Sequence, residues 1–178
     1  EKLDKSIAKV GVFVNHPVAE VIETCKELGL NFAQLHGDES VADVSEIKSA
    51  GIGVFKVFRI DARFDWDKTS AYTEADFFLF DTPTKNYGGS GKKFDWEDLK
   101  KYKDEKPFIL SGGIGVEDIP ELKKLELPKL YSIDINSRME TAPAMKDTNR
   151  IQHFINELKK CATIINPPWR VKNNNPGF

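Results

Sequence analysis

The stretch VGVFVNHPVAEVIETCKELGLNFAQL, residues 10–35, contains two short apolar runs with a helical pattern between them. The runs, residues 10–14 and 32–35, are almost continuously apolar, which is typical of strands buried on both faces of a parallel sheet. Between them, apolar residues recur at spacings of three and four, which indicates the buried face of a helix: Val18, Val21, Ile22, Cys25 and Leu28. The stretch therefore predicts a strand–helix–strand unit in which Cys25 belongs to the core.

This pattern recurs along the chain. Apolar runs begin at residues 10, 32, 54, 77, 108 and 131, and three further helical stripes follow, near 41–47, 119–125 and 151–158. Asp147 is placed to cap the last helix. Six strand–helix units predict an α/β fold with a parallel sheet and right-handed crossovers. The number of units favours an open doubly wound sheet, because a (βα)8 barrel has eight; the motifs below favour the barrel.

The composition argues against several classes of function. The chain has 178 residues, 40% hydrophobic, with 26 basic and 28 acidic side chains, which fits one domain and gives no basic face for nucleic acid. No apolar run approaches the roughly 20 residues of a membrane span, and the N-terminal residues do not resemble a signal peptide. Two cysteines, Cys25 and Cys161, have no partner at metal-binding or redox spacing. We expect a cytoplasmic protein with no nucleic-acid or membrane partner.

The chain is expected to divide at residue 160. Residues 1–160 carry the strand–helix pattern and predict a barrel-like domain. Residues 161–178 contain Pro167-Pro168, three consecutive asparagines and no periodicity, which predicts an irregular tail. An ordered flap is the alternative, because four side chains there are large and apolar.

Polar residues follow the predicted strands, where parallel α/β folds place their functional groups. Asp81 ends a bulky apolar strand and is a candidate general acid, or else a salt-bridged or capping residue. His36 ends the second strand and is a candidate substrate contact, or else bonds only to its own loop. Three scattered histidines without paired spacing predict no catalytic metal.

Two glycine-rich loops complete this end of the sheet. Residues 111–115, SGGIG, join a strand to a helix and predict a phosphate site built from backbone N–H groups and a helix N-terminus. The alternative is a plain strand-to-helix turn; the loop is neither a Walker loop nor a dinucleotide fingerprint. Residues 87–92, YGGSGK, are a candidate mobile lid or a flexible connection.

Taken in order, six segments resemble phosphoribosylanthranilate isomerase over about residues 8–160. They are VGVFVN at 10–15, QLHGDES at 34–40, FDT at 80–82, YGGSGK with FDW at 87–96, SGG at 111–113, and DINSRME at 134–140 with Pro143 and Lys146-Asp147. The resemblance implies a TIM-barrel fold and an isomerase of tryptophan biosynthesis. It also implies an Amadori rearrangement of a phosphosugar without cofactor.

The resemblance implies a role for several residues. Asp81 would be the general acid that opens the furanose ring. The phosphate would lie against loops that contain Gly112, Gly113, Asp134, Asn136 and Ser137. Backbone N–H groups would be the main donors, and Asp134, itself a carboxylate, would orient its loop.

The family also has groups that residues 1–178 do not match. Its general base is a cysteine in the first strand, and an arginine after the second strand binds the anthranilate carboxylate. The first strand here resembles the family's third, and neither Cys25 nor Cys161 matches the base. We therefore expect an incomplete barrel with exposed edges that favour self-association, and no turnover by this polypeptide alone. The alternatives are a non-catalytic phosphosugar-binding module or another phosphosugar barrel such as indole-glycerol-phosphate synthase.

Overall fold

The computed structural model describes residues 7–82 and 93–160. Six strands form one sheet in the order of the sequence, and the pairs β1–β2, β2–β3 and β5–β6 are parallel. The strands are β1 (Val10–Phe13), β2 (Phe32–Leu35), β3 (Gly53–Arg59), β4 (Phe77–Asp81), β5 (Phe108–Leu110) and β6 (Leu130–Ile133). The sequential order confirms barrel-type winding, since a doubly wound sheet would insert a later strand beside β1.

The connecting helices differ in length. Within the described ranges, four are α-helices: α1 (Val18–Leu28), α2 (Val41–Ser49), α3 (Ile119–Leu122) and α4 (Thr148–Lys159). The described connections after β3 and β4 contain 3-10 helices instead, at Trp66–Ala71 and Trp96–Lys101. Residues 140–146 form an antiparallel hairpin, β7 (Glu140–Ala142) and β8 (Met145–Lys146), which the sequence pattern did not predict.

Local signals place the helix ends. The carboxylate of Asp147 accepts the Arg150 backbone N–H at 3.0 Å, which confirms its predicted capping role at α4. Ser40 and Asp43 form a reciprocal capping box at α2, with distances of 3.2 and 2.7 Å. Gly29 ends α1 with a φ of 58°, a left-handed conformation that favours glycine.

The described residues divide into two compact units, each with its own core. The first contains residues 7–58 and 65–79, and its aromatic cluster joins Phe32 to Phe55 at 4.7 Å between ring centroids. The second contains residues 59–64, 80–82 and 93–160. There the ring centroids of Phe80, Tyr102 and Phe108 lie within 5.4 Å of one another. The Tyr102 hydroxyl donates to the Lys106 carbonyl, and burial raises its pKa.

Burial separates the central strands from the edge strands. Phe108–Leu110 is buried throughout, as the apolar runs predict, but in β1 the side chain of Val12 is 59% exposed and in β6 that of Tyr131 is 48% exposed. Burial on both faces thus does not extend to β1 and β6, each of which has one strand neighbour in the described structure, as expected for the exposed edges of an incomplete barrel. Cys25 is buried on α1, which raises its thiol pKa and fits the predicted core role.

No helix within residues 7–82 and 93–160 has the length and apolar character needed to cross a membrane. The predicted tail, 161–178, and the glycine-rich loop at 87–92 lie outside the described residues.

Candidate active site

In the second unit, the carboxyl ends of three strands bring polar residues together. The Ser111 N–H donates to the Phe80 carbonyl at 2.9 Å, and the Asp134 N–H donates to the Leu110 carbonyl at 2.8 Å. The Ser111 hydroxyl also donates to the Asp134 carboxylate at 3.0 Å. Asp134 is thus engaged with the start of the glycine loop, an arrangement that orients the loop.

Asp81 stands at the end of β4, half-buried. Its carboxylate oxygen Oδ1 accepts the Thr82 backbone N–H at 2.8 Å, and its main-chain carbonyl accepts the Ile60 N–H at 2.8 Å. Both bonds fix the direction in which the carboxyl group leaves the strand. A positioned carboxyl group at this edge can transfer a proton to a bound molecule.

Gly112 brings the glycine loop against Asp81. Its φ is 103°, and a Cβ added there would lie 2.3 Å from the Thr82 hydroxyl oxygen and 2.9 Å from Asp81 Oδ1. Only glycine permits this approach. Gly113 has a φ of 69°, but a Cβ there would meet no heavy atom of residues 7–82 and 93–160 within 4 Å. The candidate acid and the candidate phosphate loop therefore adjoin one another.

The far end of this loop is held by a buried carboxylate that the sequence analysis did not single out. Asp118 accepts the Gly115 N–H at 2.7 Å and forms an ion pair with Lys93, whose ammonium lies 5.1 Å from the centre of the Trp96 ring. The available signal was a carboxylate three residues after Gly115, at the start of the predicted helix.

The helix after the loop is shorter than the sequence predicts. A 3-10 turn, Val116–Asp118, comes first, and α3 has four residues. A helix this short has few aligned peptide dipoles, so attraction for a phosphate must come mainly from the N–H groups of the loop itself.

The loop after β6 adjoins the hairpin. Asn136 and Ser137 are exposed, and Lys146 of β8 donates to the Asn136 carbonyl at 3.3 Å and forms an ion pair with Glu140 at 2.6 Å. Arg138 forms an ion pair with Glu117, which follows the glycine loop. The two candidate phosphate loops are thus joined at the surface, and Lys146 adds a cation that the sequence analysis did not assign to the site.

His36 lies in the first unit at the end of β2. Its backbone N–H donates to the Phe13 carbonyl at 2.8 Å, and its ring Nδ1 is 3.2 Å from the Gln34 side-chain amide. His16 and His153 are exposed. Within the two described ranges, no group of three or more His, Cys, Asp or Glu side chains is placed to hold a metal ion.

The geometry has a counterpart among known proteins. The family model of N-(5'-phosphoribosyl)anthranilate isomerase matches residues 2–157. The chain belongs to this family. A phosphoribosylanthranilate isomerase relative from Parabacteroides distasonis is 41% identical over 151 residues, which are 84% of this chain and 68% of the relative.

Solved isomerase structures agree with the fold. The phosphoribosylanthranilate isomerase of Thermotoga maritima superposes with a TM-score of 0.78 at 32% identity, covering 89% of this chain and 76% of that one. An isomerase in complex with reduced 1-(o-carboxyphenylamino)-1-deoxyribulose 5-phosphate gives 0.74 at 28% identity, covering 89% and 75%. The chain has the TIM-barrel fold of the isomerase family, with a sheet that does not close within the described residues.

Family membership confirms the resemblance derived from the six segments. The phosphoribosylanthranilate isomerases are isomerases of tryptophan biosynthesis, so the chain is placed in an enzyme family. The match favours this family over indole-glycerol-phosphate synthase. The roles of individual residues stay predictions.

Proposed function

We propose that the second unit supplies the acid and the phosphate-binding groups of an N-(5'-phosphoribosyl)anthranilate isomerase site. The supporting observation is the contact of Gly112 with Asp81 and Thr82, which sets a loop of backbone N–H donors beside a positioned carboxyl group. A site that isomerises a phosphosugar needs both an anion site for the phosphate and a proton donor at the reacting end of the sugar.

The rearrangement is a sequence of proton transfers. Asp81 protonates the furanose ring oxygen, and the ring opens to a Schiff base between C1 and the anthranilate nitrogen. A base then removes the proton from C2, and the resulting enolamine tautomerises to the ketose. The Thr82 N–H bond to Asp81 Oδ1 stabilises the carboxylate that remains after the first transfer. The steps transfer protons and break the ring C1–O bond with no net change in oxidation state, so no redox cofactor is needed.

The phosphate is assigned to two loops. Backbone N–H groups at Gly112 and Gly113 and the exposed groups of Asn136 and Ser137 are the proposed donors. Asp134 accepts from Ser111 and serves to orient the loop, because a second carboxylate facing a phosphate would repel it. His36 of the first unit is a proposed substrate contact.

The base and the carboxylate-binding arginine are assigned by resemblance to two strands that precede β1 in the family. For activity tests we therefore define an extended chain: residues 1–178 preceded by a family segment with those two strands, the cysteine and the arginine.

Alanine at Gly112 should abolish phosphate binding, whereas alanine at Gly113 should weaken it only slightly. At Gly112 the added methyl group collides with Thr82, and the loop must move away from Asp81. At Gly113 no described residue occupies the space of the methyl group, and the strain of a left-handed residue is about 1–2 kcal/mol. The measurement is a titration of residues 1–178 with ribulose 5-phosphate, followed by amide chemical shifts. In the parent protein the amides of Gly112, Gly113, Asn136 and Ser137 should move.

Circular dichroism of both variants checks that each remains folded. The phosphate assignment is wrong if these amides do not move in the parent protein, or if Gly112→Ala binds as tightly as the parent.

The exposed edge strand β1 should make residues 1–178 self-associate. Unpaired strand edges and uncovered apolar side chains promote association, and a lysine at such an edge opposes it. Val12→Lys should therefore shift the protein toward monomer in sedimentation velocity. Leu28→Lys on α1 is the matched control, because both side chains are 59% exposed. A monodisperse parent monomer would contradict this prediction.

A further inference from the structure

The first unit contains a buried ion pair beside the carboxyl ends of β1 and β2. Lys56 Nζ of β3 lies 2.8 Å from Glu39 Oε2, and the two side chains are 4% and 6% exposed. Glu39 immediately precedes Ser40, the N-cap residue of α2. Burying two charges is unfavourable unless hydrogen bonds satisfy them, and apolar side chains of similar size often stabilise a core as well. The pair therefore calls for an explanation beyond stability.

The hydrogen bonds of the pair join the ends of β1 and β2 to the middle of β3. Glu39 Oε1 accepts the N–H of Asn15, which follows β1, at 2.9 Å. Both Glu39 oxygens accept the N–H of Gly37, which follows β2, at 3.0 Å. Lys56 also donates to the Gly37 carbonyl at 2.8 Å. Four residues thus form a strand-end clamp: Asn15, Gly37, Glu39 and Lys56.

Charge at the clamp is well compensated. Burial alone would raise the pKa of Glu39, but the bonds from Lys56 and the Asn15 N–H, with the positive charge of Lys56, hold that pKa below its ordinary value. Lys56 also lies 5.8 Å from the centre of the Tyr72 ring, and the Tyr72 hydroxyl donates to the Glu39 carbonyl at 3.0 Å. The Glu39 carboxyl group is therefore charged at neutral pH.

The backbone around the clamp is strained. Asn15 has a φ of 54°, and its side-chain oxygen accepts the Asp38 N–H at 2.6 Å. A Cβ added at Gly37 would lie 2.1 Å from that oxygen, so the loop after β2 presses against the loop after β1. Residues in sparsely populated conformations persist where the surrounding contacts enforce them, and they concentrate at functional sites.

We propose that Glu39 and Lys56 are positioning residues, which set the loops after β1 and β2 and thereby the place of the His36 ring for catalysis. The inference rests on the proposed function, since it gives these loops a part in substrate binding. His36 directly precedes Gly37, so a displacement of the clamp moves the histidine. Misplacing a substrate-facing group by about 1 Å lowers turnover by up to about 10²-fold.

The chain offers a matched control for this ion pair. Lys48 and Asp76 form a pair at 2.7 Å, and Asp76 accepts the Val54 N–H near the amino end of β3, away from the proposed substrate face. In the extended chain, Lys56→Met should lower kcat about ten- to a hundredfold with a smaller change in KM. Lys48→Met should leave kcat within about twofold, although it also removes one charge of an ion pair. Both are assayed below their melting temperatures.

A double variant separates positioning from stability. Lys56→Met alone leaves a buried unpaired carboxylate, and adding Glu39→Gln removes that charge. The double variant should regain thermal stability relative to Lys56→Met while its kcat stays low. If Lys56→Met does not fold, the double variant is assayed in its place. Recovery of kcat together with stability, or equal kcat values in Lys56→Met and Lys48→Met, would overturn the positioning role.

A wrong proposed function and a wrong positioning role give different experimental results. An extended parent chain without turnover refutes the function, and the clamp is then judged by NMR on residues 1–178. Shifts of the Asn15, Gly37 and Asp38 amides and of the His36 ring in Lys56→Met, absent in Lys48→Met, support the clamp. Unchanged signals overturn it.

Discussion

Asp81→Asn should lower the kcat of the extended chain by about 10²–10⁴-fold while substrate binding is retained. The amide has the size of the carboxyl group, and its oxygen can still accept the Thr82 N–H, so the end of β4 keeps its geometry. An amide cannot donate the proton that opens the furanose ring. The measurement is steady-state fluorescence kinetics on freshly prepared phosphoribosylanthranilate.

A second strand-end carboxylate provides the control. Asp61 follows β3 in the same unit, is exposed, and accepts the Arg63 N–H at 2.8 Å. Asp61→Asn changes the same charge at the same edge of the sheet and should leave kcat within about twofold, because the Arg63 bond survives. Robust turnover by Asp81→Asn would show that another group is the acid.

A polypeptide of residues 1–178 alone should show essentially no isomerase activity. By family resemblance, the base that removes the C2 proton and the arginine that binds the anthranilate carboxylate precede β1. General acid–base groups contribute about 10²–10⁴-fold each, so loss of the base alone reduces turnover by that factor. The buried Cys25, with its raised thiol pKa, is unsuited to act as that base in its place.

Residues 1–178 should still bind a phosphosugar although they do not turn over the substrate. The two phosphate loops belong to the second unit and use none of the missing groups, so ribulose 5-phosphate should still shift the amides of Gly112 and Gly113. A polypeptide that binds but does not turn over behaves as a phosphosugar-binding module, and only the extended chain separates that behaviour from the function of the family.

The sequence predicted the strands well because each strand is a compact apolar run. β1, β2, β4 and β5 begin at the predicted residues, and β3 and β6 begin one residue earlier. The neighbourhood of Asp81 and Gly112 could be anticipated for the same reason: parallel strands place their carboxyl ends at one edge, so residues that follow β4 and β5 meet there.

Other features depend on contacts that a local pattern does not contain. Glu39 and Lys56 are 17 positions apart, and the sequence analysis singled out neither; the available signal for Lys56 was a charged residue within the apolar run that begins at residue 54. The hairpin β7–β8 has strands of three and two residues, too short for an alternating pattern to develop. Exposure of Val12 and Tyr131 reflects which strands have neighbours, a property of the whole sheet.

We propose that Asp81 and the loops with Gly112, Gly113, Asn136 and Ser137 supply the acid and phosphate-binding groups of a phosphoribosylanthranilate isomerase. Complementation tests it most directly: residues 1–178 are mixed with a separately prepared family segment that carries the first two strands, and the fluorescence of phosphoribosylanthranilate is followed. We predict turnover that saturates with the added segment, none from either part alone, and none when residues 1–178 carry Asp81→Asn. Robust turnover by residues 1–178 without the segment, or no turnover from the mixture and from the extended chain, would contradict the account.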